Sequence, residues 1–450
     1  MESNRKETTM IHINNKHNCC GCSACASVCP KHCIAMQEDS EGFLYPVVDE
    51  SLCIDCGLCE RVCHELHPFD ERKPQKVLAA INKDEEIRLK SSSGGIFYIL
   101  AKQVIDDGGV VFGARFDDDW QVVIDYAEDI DGIKAFMGSK YVQARMETAY
   151  IDAKRFLSEG RKVLFSGTPC QIAGLHHFLR KQYDNLLTVD IICHGTPSPM
   201  VWGRYLDETV EQVKEICNIE FRNKTNGWNN FSFKIERNES DDTISLLSSF
   251  KDNPFMKAFL RDIILRPACY DCKAKSGRSH SDITIADFWG VHSIFPEMDD
   301  DKGTGLVFIN SEKGESALRN QRIIIAETKY KLIKALNPAC YRSPSVHRRR
   351  DEFFERINKG ECVADVVADC AQPTPENFVL RCKRFILNKL RNMLGGGKTY
   401  VINFPPPQYQ VPEMNMSNVK SDISSVNFRN KKYGWKEYSL HIKIKKKTEE

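Results

Sequence analysis

Between Cys19 and Cys63 one cysteine spacing occurs twice. Cys19-x2-Cys22-x2-Cys25-x3-Cys29 is followed by Cys53-x2-Cys56-x2-Cys59-x3-Cys63. Three thiols at two-residue intervals wrap a tight loop around three corners of an iron–sulfur cubane, and the fourth thiol arrives from further away. A zinc ribbon uses two CxxC pairs with a longer gap between them, which leaves the third cysteine of each run unexplained. A disulfide framework needs an oxidising compartment, and the chain opens with no apolar leader. The spacing therefore predicts two 4Fe-4S clusters, and any fold must bend its loops to deliver their ligands.

The double run resembles that of bacterial-type ferredoxins, in which the fourth thiolate of each run ligates the other cluster. That resemblance implies Cys19, Cys22, Cys25 and Cys63 on one cluster, and Cys53, Cys56, Cys59 and Cys29 on the other. Pro30 follows the first run, whereas His64 stands where a second proline often sits. This alters a turn and no ligand. Cys20 and Cys33 fall outside the ligand spacing and read as filler.

A chain of 450 residues, 42% hydrophobic and 28% charged, is an ordinary soluble protein with room for two to four domains. No run of eighteen apolar residues offers a membrane span. Nineteen cysteines, many in cluster motifs, point to a reducing, oxygen-poor cytoplasm. The net charge of +1 conceals an asymmetry: from Arg381 onward there are fifteen Lys or Arg against five Asp or Glu. Such a tail can bind nucleic acid, lie on an anionic membrane or dock an acidic partner, or simply be solvated. Nucleic-acid binding would need stacking aromatics that only Tyr433, Trp435 and Tyr438 offer, so it is disfavoured.

After a polar linker around Pro68 to Pro74, apolar runs predict strands at Val77–Ile81, Val110–Ala114 and Val122–Tyr126, with a helix over Ile96–Ile105 opened by Ser93-Gly94-Gly95. Two strand–turn–helix units follow: Lys162–Ser166 into Gln171–Leu179, and Leu186–Ile192 into Val201–Thr209. This alternation predicts an α/β sheet, whose ligands sit beyond the carboxyl ends of the strands. A basic amphipathic helix is expected over Asn377–Leu394, ended by Gly395-Gly396-Gly397, with little periodicity beyond it.

Cys170 and Cys193 fall at two of those strand ends, and Cys269-x2-Cys272 is a two-ligand clip. Together the four could close a third 4Fe-4S cluster; a zinc site and buried structural thiols are the competing readings. Cys217, Cys340, Cys362, Cys370 and Cys382 read as structural.

The order Ser-Ser-Gly-Gly, Gly138-Ser-Lys140-Tyr141, Gly167-Thr-Pro-Cys170-Gln171, Cys193-His-Gly195, Cys269-x2-Cys272 and Asp282-Ile-Thr-Ile-Ala-Asp287-Phe-Trp-Gly resembles the beta subunit of coenzyme F-420 hydrogenase and dehydrogenase, over roughly residues 15 to 345. The resemblance implies FAD and at least one 4Fe-4S cluster in the core. A flavin also suits the chemistry, because clusters pass single electrons and most organic acceptors take two. Its candidate contacts are Ser93, Gly94, Gly95, Lys140, Tyr141, Thr168 and Gln171. A plain helix-capping turn and an exposed Lys–Tyr pair are the alternatives for the first five. No GxGxxG follows a strand, which argues against a Rossmann-type nicotinamide site. Asp282 and Asp287 could orient a cofactor or make turn hydrogen bonds, and His194 could serve a cluster or the fold.

The expected fold is a multidomain α+β protein: a bacterial-type two-cluster ferredoxin domain (1–75), an α/β flavin-binding core in two parts (76–155 and 156–345), and a basic, helical and partly disordered tail (346–450). The expected function is an iron–sulfur flavoprotein oxidoreductase exchanging electrons with ferredoxin, coenzyme F-420 or a small-molecule substrate. The alternative is a non-catalytic electron-transfer subunit of a partner enzyme. No catalytic residue is assigned.

Overall fold

The computed structural model describes residues 10–239, 242–319 and 321–372, and the backbone of 400–403, 423–433 and 435–444. Two compact units result, Met1–Ala371 and Gln372–Glu450.

In the first unit the two cysteine runs fold as near copies. Each loop places two residues in the left-handed region: Gly21 (φ 73°) and Ser23 (φ 61°) in one, Asp55 (φ 52°) and Gly57 (φ 67°) in the other. Alternating handedness turns successive backbone N–H groups inward, a concavity suited to an anion. Short helices, Ala24–Val28 and Leu58–Arg61, carry the chain away from each loop. An antiparallel hairpin of β1 (Ile34–Glu38) and β2 (Leu44–Val48) joins the two halves.

The core is built on a mixed eight-stranded sheet. Its first strands are β3 (Lys76–Asn82), β4 (Val110–Phe116), β5 (Val122–Ala127), β6 (Val163–Gly167) and β7 (Leu186–Ile191). The chain then leaves to form a separate antiparallel sheet of β8 (Ile216–Asn223), β9 (Ser232–Glu239) and β10 (Asp242–Ser249). It returns as β11 (Ile283–Asp287), β12 (Gly305–Ile309) and β13 (Ile323–Thr328), giving the order β13-β3-β12-β11-β7-β6-β4-β5. The four central strands β11, β7, β6 and β4 are parallel, and antiparallel strands flank them. Their near-continuous apolar runs suit strands covered on both faces: Val110, Phe112, Leu164, Phe165 and Val189 are all fully buried.

The ferredoxin-type module is locked to this core. Ser198 Oγ donates to the Glu41 carbonyl at 2.5 Å, and Arg350 grips the Glu41 carboxylate through Nη1 (2.8 Å) and Nη2 (2.5 Å). A Cβ on Gly42 would lie 2.3 Å from that of Met200, so only glycine permits this approach.

The last boundary lies at Ala371, not at 345. Helices Arg350–Asn358 and Val363–Cys370 bury Phe353, Phe354, Ile357, Val366 and Val367 in the same aromatic core as Trp202, Phe221 and Phe255. Apolar side chains at helical spacing decide this, although the charge of the region suggested a tail. The second unit holds an antiparallel sheet of β14 (Tyr400–Asn403), β15 (Ile423–Tyr433) and β16 (Trp435–Ile444), where no regular structure was expected. The helix expected over Asn377–Leu394 lies outside the described residues. Among the described residues no helix is long and apolar enough to cross a membrane.

Candidate metal centre

The eight ferredoxin-type cysteines fall into two groups. Burial raises the Cys25 thiol above its ordinary range, and nearby Cys22, Cys19 and Cys63 raise it further; Cys63 is pushed up to about 12, first by burial and then by Cys22. Four thiols that oppose one another's ionisation become thiolates when a cation is placed among them. The other four, Cys29, Cys53, Cys56 and Cys59, line a pocket of about 350 Å³ together with Cys33 and Ile54. Backbone N–H groups already aim at sulfur: Ile11 N donates to Cys59 Sγ (3.3 Å) and Asp55 N to Cys53 Sγ (3.4 Å). The donor set and these N–H groups fit a cubane at each place.

The first group faces the core. Gly174, on the helix Pro169–Leu179, would bring a Cβ within 3.1 Å of Cys22 Sγ. Cys20, read as filler from spacing alone, is not inert packing. Its sulfur lies 3.1 Å from His64 Nε2, and Cys20, His64 and Glu65 bring ligating atoms within 4.8 Å of one another. Burial holds His64 down at about 4, and it lifts Glu65 to about 7. The Cys20 side chain beside it draws the Cys170 thiol down to about 7.

Cys170 is delivered by the capped start of its helix. Thr168 is the N-cap, Pro169 opens the first turn, and Gln171 Oε1 accepts from Thr168 N at 2.8 Å. Cys170, Cys193, Cys269 and Cys272 converge. Burial raises the Cys193 thiol; Lys275 opposes the rise, and Cys269, Cys170 and Cys272 add to it. Cys272 is pushed up to about 12 by burial, then by Cys170 and Cys269. Thr196 N donates to Cys269 Sγ at 3.4 Å.

Two buried cations stand beside these thiols. Arg266 is fully buried and donates to Cys19 O (2.7 Å), Leu44 O (2.8 Å), Gln143 Oε1 (3.0 Å) and Cys19 Sγ (3.5 Å). Lys275 is buried and donates to Cys193 O (2.5 Å) and Ala339 O (2.7 Å). None of these bonds runs to a carboxylate. Buried charge is retained only where opposite charge compensates it, and the nearby groups that metal binding would turn into anions are the cysteine thiols. The arrangement thus fits an anionic cluster among the four core cysteines. A further pocket of about 430 Å³ opens beside Cys193 and Lys275, bordered by Arg72, Asp190, Thr284 and Cys340.

The residues singled out for a flavin separate into two sets. Ser93 and Tyr141 belong to one, because Ser92 and Ser139 tie their loops together at 2.8 Å. Lys140 donates to Met137 O at 2.9 Å, and burial lowers it to about 7. Thr168 and Gln171 belong to the other set, at Cys170. Gly94 has a packing reason, since its Cβ would lie 2.3 Å from Ala80 O; Gly95 takes the left-handed N-cap (φ 77°). Phe259 stacks on Tyr141 at 4.7 Å and lies edge-on to His194 at 5.4 Å. His194 itself pairs with Asp262 at 2.5 Å. Asp282 bridges Thr188 and Ser311 as a structural ligand of loops, whereas Asp287 pairs with buried Arg222. Spacing gave no sign of Arg222, Arg266 or Lys275, which stand in no motif and acquire meaning only from their neighbours.

Residues 160–331 match the family defined by the C terminus of the coenzyme F420 hydrogenase/dehydrogenase beta subunit, and residues 18–65 match a 4Fe-4S dicluster domain. An uncharacterised protein of Methanocaldococcus jannaschii is 25% identical over 209 residues, which cover 38% of this chain and 55% of that protein. The chain thus spans about half the length of that curated relative. A chain of the F420-reducing [NiFe] hydrogenase complex from Methanosarcina barkeri superimposes with a TM-score of 0.42 at 18% identity, over 64% of this chain and 93% of that one. The family named from the short motifs is the one whose model matches residues 160–331, and the double cysteine run lies within the matched 4Fe-4S dicluster segment.

Proposed function

We propose that this chain is a cytoplasmic iron–sulfur flavoprotein that passes electrons between ferredoxin-type clusters and a two-electron partner through FAD. A third 4Fe-4S cluster is held by Cys170, Cys193, Cys269 and Cys272. The clusters supply single electrons and the flavin couples them to two-electron chemistry. The observation that carries the reading is the Cys20–Cys170 contact, which brings the inner ferredoxin loop against the core cysteines. Arg266 and Lys275 offset the negative charge gathered there. Phe259 stacks on Tyr141 and lies edge-on to His194, the residue after Cys193. The two-electron partner is a deazaflavin coenzyme or a small molecule, and a ferredoxin is the external carrier.

The experiment is anaerobic reconstitution of the full chain, with iron assay and chromatography of heat-released flavin. Three cubanes predict roughly twelve irons per chain, falling to roughly eight in Cys272→Ser but not in Cys217→Ser. Eight irons in the unsubstituted protein would remove the third cluster.

A second reading, a relay subunit serving a partner enzyme, is favoured by exposed Ile54, which lines the outer cysteine pocket, and by exposed Val47 and Leu52, each next in sequence to a lining residue. Absence of FAD after reconstitution would decide for it.

A further inference from the structure

Arg222, on β8, is buried at 7% exposure, and one of its amines pairs with Asp287 Oδ2. Its Nε and Nη2 have no hydrogen-bond partner, and neither have Asp287 Oδ1 and Trp228 Nε1 beside it. Buried polar atoms are nearly always paired, because leaving one unmade forfeits its solvation without return. Four such atoms on three touching residues mark a place that a ligand completes.

The surroundings fit a flat ring. The Arg222 guanidinium lies 5.6 Å from the Trp228 ring and 5.7 Å from that of Trp289, and the two indoles are 4.7 Å apart. Trp289 is 41% exposed, so the group opens to solvent on one side. A Cβ on Gly303 would lie 2.7 Å from Trp228 Cδ1 and 3.1 Å from Ser93 Cα, so only glycine keeps the indole and the serine loop together. Lys224 donates to Arg88 O (2.9 Å), Ser93 O (3.1 Å) and Lys302 O (2.7 Å), with no carboxylate among these partners. Arg222 thus supplies N–H donors and positive charge suited to the carbonyl edge of an electron-poor ring.

We infer that Arg222, Asp287 and Trp228 recognise the imide edge of a planar heteroaromatic ring, the carbonyl, N3–H, carbonyl sequence shared by flavins and 5-deazaflavins. The orphaned atoms supply the complement: N–H donors on Arg222, an acceptor on Asp287, and an N–H donor on Trp228. A nicotinamide presents no N–H between two carbonyls and leaves Asp287 unsatisfied. Ser93 and Tyr141 border the same group, Tyr141 lying against the Arg222 guanidinium. This inference rests on the flavin reading above and adds what the site reads.

The test uses the anaerobically reconstituted full chain, titrated by ring fluorescence with FAD and with 5-deazariboflavin, each alongside its N3-methyl derivative. FAD binding with at least about tenfold loss on N3-methylation is expected, the scale of one hydrogen bond removed and a methyl introduced. Trp228→Phe keeps the ring packing and removes only the N–H; it should weaken FAD about five- to tenfold, with cluster signals unchanged. Arg222→Met should weaken it by more than about a hundredfold. Equal binding of FAD and its N3-methyl derivative, or full affinity in Trp228→Phe, would overturn the edge recognition and leave the flavin reading standing. N3-sensitive binding of 5-deazariboflavin without FAD would support the site and overturn FAD as its occupant. Binding of neither ring would overturn both.

Discussion

The two halves of the ferredoxin-type module share one loop geometry and differ in what surrounds it. At the position after the first cysteine the outer loop has Ile54, 56% exposed, and the inner loop has Cys20, in contact with Cys170. After the fourth cysteine of each run comes exposed Pro30 in one case and fully buried His64 in the other. The geometry that holds a cubane is therefore local and repeated, whereas its connection to the rest of the molecule lies in the residues between the ligands. The outer half meets solvent through Val47, Leu52 and Ile54; the inner half is packed into the core. Electrons can be exchanged with another protein at one end and delivered inward at the other.

The contrast is broken most severely by removing one ligand from each half. Cys22→Ser and Cys56→Ser should each cost roughly four irons. Only Cys22→Ser should also lower the anaerobic melting temperature of the whole unit, because the inner loop is packed into the core and Arg266 loses the charge of the cluster held beside Cys19. Equal melting losses would erase the distinction. Gly174→Val comes next, since its branched side chain would press on Cys22 Sγ and the Tyr150 hydroxyl, 2.7 Å from the Cβ position. A loss of about 1–3 kcal/mol in an anaerobic urea melt, with a weakened inner-cluster resonance, is expected.

Arg266→Met sharpens the comparison electrically. The inner and core clusters should fall in potential by on the order of 100 mV, the scale of one charge several ångströms away at an effective dielectric of about 20. The outer cluster should hardly move, and Arg266→Lys should recover part of the shift in an electron paramagnetic resonance titration. Ile54→Asp should slow reduction by an external carrier severalfold without changing iron content, because an apolar contact becomes charged. The smallest effect concerns acidity. Burial lowers His176, which is edge-on to Phe69 of the linker at 6.4 Å, from 6.5 to about 4. Between those values the unfolded chain binds the extra proton, so this contribution to stability is full above pH 6.5 and shrinks towards pH 4. His176→Gln should flatten that limb of melting temperature against pH.

The eight ferredoxin-type cysteines were legible because their ligand spacing is a local constraint that no tertiary contact can alter. Most strands were legible for a similar reason. Val110–Phe116 and Leu186–Ile191 open on apolar runs, Val110-Val-Phe112 and Leu186-Leu187, of the kind a strand covered on both faces requires. The contacts of Cys20 and His64 were not legible, because they depend on Cys170, far along the chain. Arg222, Trp228 and Arg266 belong to no motif, and charge or aromaticity alone is uninformative until burial removes the water. Gly94 was legible as special but for a mixed reason: the backbone of β3 and β12 already requires it. Phe353 to Val367 were hidden by the charged residues interleaved with them.

The clamp on Glu41 has a kinetic consequence. A carrier domain on a flexible tether must diffuse to its dock for each transfer, and its rate then follows solvent viscosity. Here Arg350, Ser198 and the Gly42–Met200 approach hold the hairpin between the two cysteine runs in one place. The separation between the inner cysteine loop and the core cysteines is thereby a constant of the fold. Under the proposed function, traffic between them is a tunnelling event across a fixed gap, indifferent to sucrose or glycerol in the medium, while exchange at the outer face still slows as the solvent thickens.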